Sequence, residues 1–315
     1  MNNKNKSQTP FELTILGSSS ALPTSDRYPT AQVLNILGRF FLIDCGEGTQ
    51  IQLRRQKIGF SKIKHIFISH LHGDHYFGLI GLISTLNLLG LKTDIHIYSP
   101  SELKDLIQPQ LNFIKGEMKV NLIFHPLNFK KLQKIYSDKR VEVFSFPVKH
   151  SIPTSGFLFK EIQKQPNIKK EAIQKYNIPI AKIKDIKAGA DLTTESGKII
   201  QNKTLTTPPP KPRSYAFCTD TAYHEPIIDI IKGVDLLYHE STFPEEMKDF
   251  AKKTLHSTAT DAAKIAKLAG VKKLIICHFS ARYNDASLFE KEARTIFENT
   301  VAAEDGRTYK VKSSS

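Results

Sequence analysis

The chain has 315 residues, 40% of them hydrophobic, which is enough to bury a sizeable core in one large domain or two small ones and removes any need for disulfide staples. Its 45 Lys and Arg against 31 Asp and Glu leave a formal net charge of +14, a balance that favours polyanionic partners but also fits a soluble basic surface. The three cysteines, Cys45, Cys218 and Cys277, are odd in number and each lies in an apolar run, so they read as buried thiols in a reducing, cytoplasmic setting. Met1 to Pro10 is polar and lacks the apolar stretch of a signal peptide, and no apolar run approaches a membrane span; neither secretion nor membrane insertion is expected.

Short runs rich in β-formers, broken by turn residues, predict strands over Glu12 to Leu16, Gln32 to Asp44, Lys64 to Ser69, Asp94 to Tyr98, Val141 to Phe146 and Gly156 to Phe159. Residues 48 to 58 and 76 to 89 read as helices, the second so rich in Leu and Ile that it must be largely buried. From Ser214 onward strands and helices alternate: Tyr215 to Thr219, a helix near Pro226 to Ile231, Leu236 to His239, a helix near Thr258 to Leu268, then Lys273 to Cys277. Such alternation implies sheets covered by helices, an α/β architecture. Between the halves, residues 160 to 213 hold twelve Lys and Arg against five Asp and Glu, a net +7, with few large apolar residues and a cluster of prolines at 208, 209, 210 and 212. This stretch reads as an arm outside the core.

The chemistry is concentrated in His70, Leu71, His72, Gly73, Asp74 and His75, placed between the buried run Ile66 to Ile68 and the apolar helix, and hence in a strand-to-helix loop. Imidazole nitrogens and carboxylate oxygens bind zinc at about 2.0 to 2.2 Å, and two histidines one residue apart can reach the same ion, which leaves Asp74 and His75 for a second. The bland alternative is a chance histidine cluster on a solvated loop. Against it, three further ligand-type residues each stand just beyond an apolar run: His150 after Val141 to Phe146, Asp220 after Tyr215 to Thr219, and His278 after Lys273 to Cys277. None would carry weight alone, but together they complete coordination shells that the first motif leaves open. A carboxylate such as Asp220 can bridge two ions held about 3.5 to 4 Å apart.

The same box, the later His, Asp and His, and the stretches Asp44 to Gln50, His239-Glu240-Ser241-Thr242-Phe243, His256-Ser257-Thr258 and His278-Phe279-Ser280 together resemble ribonuclease Z, the tRNA 3′-processing endoribonuclease of the metallo-β-lactamase superfamily. The likeness runs from about Phe11 to Tyr283 in the expected order. The box alone marks the superfamily, which also contains ester, thioester and lactam hydrolases; the glutamate-bearing and His-Ser-Thr stretches narrow it. The resemblance implies a four-layer αββα sandwich in a single domain over 1–315, with residues 160–213 inserted as a flexible arm, and usually a homodimer. It implies two Zn²⁺ ions, the first held by His70, His72, His150 and Asp220 and the second by Asp74, His75, Asp220 and His278. It further implies that His256, oriented by Glu240, gives a proton to the leaving oxygen, with Asp74 as the nominal proton acceptor, although ligation is the weightier role for that residue. The implied substrate is precursor tRNA, cut to leave a 3′-hydroxyl on the tRNA and a 5′-phosphate on the trailer. The other reading is a hydrolase of a small ester, thioester or phosphodiester.

One departure from the family falls in the arm, where Tyr176 to Lys182 contains no Gly-Pro pair of the kind family arms commonly carry. Remaining candidates take plainer readings. His65, His96, His125 and His224 are expected to be surface or capping residues, and Cys218 and Cys277 packing residues. Gly46 and Gly48 suggest a tight turn, with Asp44 supporting a ligand histidine from behind. The loop Gly17 to Ala21 is expected to line the cleft.

Overall fold

The structure, a computed structural model, describes residues 9–113 and 118–312; most of the polar amino-terminal stretch and the Ser313 to Ser315 tail lie outside the described residues. Two seven-stranded sheets form the body. The first runs in the order Thr308–Lys310, Phe11–Gly17, Ala31–Ile36, Arg39–Cys45, Ile63–Phe67, Asp94–Ser99, Asn121–Pro126, antiparallel up to Arg39–Cys45 and parallel from there on. The second runs Thr300–Ala302, Leu274–Cys277, Leu236–Glu240, Ser214–Cys218, Ser155–Glu161, Val141–Pro147, Gln133–Ser137, with its first four strands parallel. Parallel strands of one sheet end on the same side, so the residues that follow Ser214–Cys218 and Leu274–Cys277 can converge.

Alternation along each strand decides the layers. Phe41, Phe67, Phe157, Phe159, Tyr215 and Phe217 are fully buried in one cluster drawn from both sheets, and the Phe41–Phe159 and Phe67–Phe157 rings lie 5.5 Å apart across them. The opposite face of the first sheet (Val33, Leu42, Ile66, Ile97) packs on the helices Thr49–Arg55, Gly78–Leu88 and Leu103–Leu111 through Leu53, Leu82, Ile83 and Ile107. The helices Ala259–Leu268 and Ser287–Arg294 bury Ala262, Ile265, Phe289 and Ala293 against the second sheet, so the expected αββα order is the observed one. Among the described residues no helix is long and apolar enough to cross a membrane.

Several expected elements differ in detail. The run Gln32 to Asp44 is two strands joined by a two-residue turn, in which Leu37 and Gly38 both take positive φ and Ile36 pairs with Arg39. The predicted helix over 76 to 89 is two helices, Gly73–Tyr76 and Gly78–Leu88. Asp74 and His75 therefore sit on a short helix, not on a loop. The expected helix near Pro226 is only a single 3₁₀ turn, Glu225–Ile227. The helix expected near Thr258 to Leu268 is observed as Ala259–Leu268, begun by Thr258, whose side chain caps Asp261 N while the Asp261 carboxylate caps Thr258 N.

Among the described residues, the two large sheets with their helices form one compact unit, and 161–212 form the other. Within it the helices Lys170–Lys175, Ile180–Lys187 and Asn202–Leu205 and two small antiparallel strand pairs close over Ala172, Ile178, Ile186, Leu192, Ile200 and Leu205. The segment, read from the sequence as lacking a core, has a small one of its own. Asn202 ties it together by donating to the carbonyls of Ile186 and Ala190.

Candidate active site

All seven residues expected as ligands converge. His70, His72, His150 and Asp220 place potential ligand atoms within 4.8 Å of one another, as do Asp74, His75 and His278. Asp220 faces both groups: its Oδ2 lies 3.6 Å from His70 Nε2 and 3.7 Å from His150 Nε2, while its Oδ1 lies 3.2 Å from His278 Nε2 and 3.3 Å from His75 Nε2. Asp74 Oδ2 completes the second group, 3.3 Å from His75 Nε2 and 3.6 Å from His278 Nε2.

Strand ends position these side chains. His70 follows Ile63–Phe67 by way of buried Ile68 and Ser69, and His150 lies in the loop after Val141–Pro147, tied back by its Nδ1 donating to Leu255 O at 3.1 Å. Asp44, Asp220 and His278 all take positive φ, at 54°, 42° and 61°. That conformation is uncommon outside glycine, though Asp and His tolerate it better than most, and strain of this kind is typically found where a site demands it. Gly46 permits a close approach that any side chain would block: a Cβ there would stand 2.5 Å from Asp74 O. The loop Gly17 to Ala21 also reaches this end of the sheets, since Ser20 N donates to the carbonyl of Phe279, the residue after His278.

A shell of fixed acceptors orients the histidines. Asp44 is fully buried and accepts from Ser69 N, Ser69 Oγ and His75 Nδ1, the last at 2.7 Å, which turns His75 Nε2 toward Asp74 and Asp220. His75 Nε2 and His278 Nε2 are both buried without a hydrogen-bond partner. Burial works against a charge on His75, but Asp74, Asp220 and Asp44 outweigh it and raise its pKa well above the imidazole norm. Burial, with His75 beside it, holds His70 well below that norm. A neutral, buried imidazole beside paired carboxylates is a donor set that suits a cation. The nitrogen and oxygen ligands, three histidines with one carboxylate in one group and two histidines with two carboxylates in the other, suit zinc chemistry.

Glu240 and His256 stand beside this cluster. Glu240 is fully buried; its Oε1 accepts from Thr221 N and His256 Nδ1 at 2.7 and 2.8 Å, and its Oε2 accepts from Thr242 N, Thr242 Oγ1 and Ser257 N. Burial lowers the His256 pKa, yet Glu240, followed by Asp220 and Asp74, raises it to about 9. His256 also has a ring nitrogen within 4.8 Å of ligand atoms of Asp220 and His278, so it borders the second ligand group.

Two groups depart from the sequence reading. His65, His96 and His125 are half-buried and meet one another instead of standing alone: His65 stacks on His96 at 5.0 Å, His96 Nδ1 lies 2.9 Å from His125 Nε2, and Tyr98 stacks on His125 at 4.5 Å. The parallel register pairs His65 with His96 and Tyr98 with His125, which no single-strand pattern reveals. Thr242, unassigned in the sequence, links Glu240 to His278; its place within the His239 to Phe243 stretch was the available signal. His224 is the residue before the 3₁₀ turn, and Cys45, Cys218 and Cys277 are free and buried, with burial pushing the Cys45 thiol up to about 12 and raising those of Cys218 and Cys277 as well.

Two helix-covered mixed sheets with a His and Asp cluster at their strand ends define a metallo-β-lactamase fold with a metal-binding site. The fold is similar to that of the metallo-β-lactamase fold protein YhfI from Bacillus subtilis (TM-score 0.67, 16% identity, covering 95% of this chain and 99% of that one). Residues 11–165 match the family described as anti-Pycsar protein Apyc1. Over nearly the whole length the likeness is more specific: ribonuclease Z of Bacteroides thetaiotaomicron is 48% identical over 295 residues, which is 94% of this chain and 93% of that protein. Human tRNase Z, short form, has a TM-score of 0.70 at 26% identity, covering 96% of this chain and 99% of that one. The chain belongs to the ribonuclease Z family.

Proposed function

We propose that this protein is the endoribonuclease that removes 3′ trailers from tRNA precursors, holding two Zn²⁺ per chain and leaving a 3′-hydroxyl on the tRNA and a 5′-phosphate on the trailer. The observation that carries the reading is Asp220, with one oxygen toward His70 and His150 and the other toward His75 and His278, beside the Glu240–His256 pair. His70, His72, His150 and Asp220 would hold the first zinc; Asp74, His75, Asp220 and His278 the second. Bound there, zinc supplies a water of lowered pKa and charge stabilisation for the phosphoryl oxygens. The chain supplies the rest. His256 keeps Nδ1 on Glu240 and so offers its other nitrogen to the departing 3′-oxygen, protonated because Glu240 favours the imidazolium. Asp74 serves chiefly as a ligand, since a carboxylate bound to metal is a weak base.

The net +7 of residues 160–213 supports phosphate binding, and Lys164, Lys170, Lys175, Lys182, Lys184, Lys198 and Lys203 are exposed. We assign that unit to the grip on tRNA. A hydrolase of small esters or thioesters would use the same metals but has no need of this unit or of the Glu240–His256 pair. Three buried free thiols support a reducing, cytoplasmic setting, and a homodimer is the expected assembly. Incubating the zinc-loaded protein with a 3′-extended tRNA precursor and with a chromogenic small diester tests the reading: precursor cleavage at the end of the acceptor stem supports it, and turnover of the diester alone removes it.

A further inference from the structure

The Thr242 hydroxyl is buried between the two halves of the chemistry. Its Oγ1 lies 2.7 Å from Glu240 Oε2, 2.9 Å from His278 Nδ1 and 3.3 Å from His256 Nδ1. A hydroxyl has one proton to give, and an ionised carboxylate can only accept. Glu240 takes five hydrogen bonds from Thr221 N, His256, Thr242 N, Thr242 Oγ1 and Ser257 N, a number that fits the ionised form. Thr242 O–H therefore donates to Glu240 Oε2, and its lone pair accepts from His278 Nδ1–H. That acceptance fixes the proton of His278 on Nδ1 and leaves Nε2 bare, facing Asp220 Oδ1 at 3.2 Å and Asp74 Oδ2 at 3.6 Å. The same carboxylate takes His256 Nδ1–H on its other oxygen at 2.8 Å, which leaves the far nitrogen of His256 free. One hydroxyl and one carboxylate thus set the ring orientation of both a ligand histidine and the histidine beside it.

We propose that Thr242 is a positioning residue, whose hydroxyl couples the Glu240–His256 pair to His278 and so aligns proton donation with metal binding at the Asp74, His75, His278 group. The proposal rests on the reading of the protein as a zinc-dependent tRNA-processing enzyme. Groups that orient a ligand histidine typically change metal affinity or activity by about 10- to 100-fold when removed.

The test compares Thr242→Val, which keeps the shape and loses the hydroxyl, with Thr242→Ser, which keeps the hydroxyl and loses the methyl. Zinc affinity is read by chelator competition, and kcat and KM on a 3′-extended tRNA precursor are read separately. The valine chain is expected to bind its weaker zinc about 10-fold less tightly or worse and to lose at least as much in kcat with KM within about twofold, while serine restores most of both. Thr242→Ala gives the same comparison should the valine chain fail to fold. Wild-type zinc affinity and kcat without the hydroxyl would overturn the proposal, as would a serine chain no better than the variant lacking the hydroxyl. If the wild-type chain binds zinc but leaves precursor tRNA uncut, the functional reading fails while the zinc comparison still judges Thr242.

Discussion

Asp44 Oδ2 accepts from His75 Nδ1 at 2.7 Å in a fully buried pair, and the same carboxylate takes both donors of Ser69. A residue 31 positions away in sequence thereby decides which nitrogen of His75 faces Asp74 and Asp220.

Replacing Asp44 with Ala is expected to weaken zinc binding by about 10- to 100-fold, because the imidazole loses the partner that fixes its tautomer and rotation. Chelator competition measures it. An affinity equal to wild type would mean that packing alone orients His75.

Gly78→Ala is expected to disrupt the site from outside it. A Cβ at Gly78 would stand 2.0 Å from Gly46 O, and Gly46 in turn abuts Asp74 O, so the helix carrying the substitution must shift away from the Asp44 to Gly48 turn. Overpacking of this kind costs about 1 to 3 kcal/mol. Thermal unfolding should fall by several degrees with weaker zinc binding alongside; an unchanged melting temperature would show that the close approach relaxes freely.

The His65, His96 and His125 stack predicts acid sensitivity away from the active site. Burial, then His96 and His125, lower the His65 pKa from the ordinary 6.5 to about 4, with Asp138 acting the other way and Lys64 adding slightly. Above pH 6.5 the imidazole is neutral whether folded or unfolded and costs nothing. Between pH 6.5 and about 4 the unfolded chain binds the proton and the folded chain does not, so stability falls as pH falls through that window. Urea midpoints at about pH 7.5 and about pH 5 should therefore differ less in His65→Phe than in the wild type. Equal pH dependence in both chains would remove His65 as a source.

His256→Ala is expected to lower kcat by about 10² or more while zinc content stays at two. Because His256 also borders Asp220 and His278, loss of an ion would reassign it to metal binding.

Much of this site is legible in the sequence because His70 to His75 are contiguous, because Asp220 and His278 each close an apolar run, and because His150 follows another within a few residues. What the sequence hides depends on pairing between distant elements. The stack of His65, His96 and His125 comes from parallel register across three strands, and each histidine alone looks ordinary. The Leu37–Gly38 turn interrupts a run so apolar on both sides that one long strand fits it equally well. The core of residues 161–212 draws on Ala172, Ile178, Ile186, Leu192, Ile200 and Leu205, which are spaced too widely to stand out among the lysines.

Deleting residues 161–212 in favour of a short Gly and Ser linker should weaken precursor tRNA cleavage and flatten its salt dependence, by about 0.9 or less in the log–log slope for each phosphate no longer neutralised, while small-diester hydrolysis persists. Equal loss on both substrates would assign the unit to stability or assembly, and unchanged tRNA cleavage at physiological salt would free it from RNA binding.

The most direct measurement pairs zinc content with precursor cleavage on one preparation. After full reconstitution the chain should hold two zinc ions, release the trailer with a 5′-phosphate, lose activity on chelation and regain it on adding zinc back. A single ion per chain, or cleavage undiminished without metal, would contradict a centre built on both faces of Asp220.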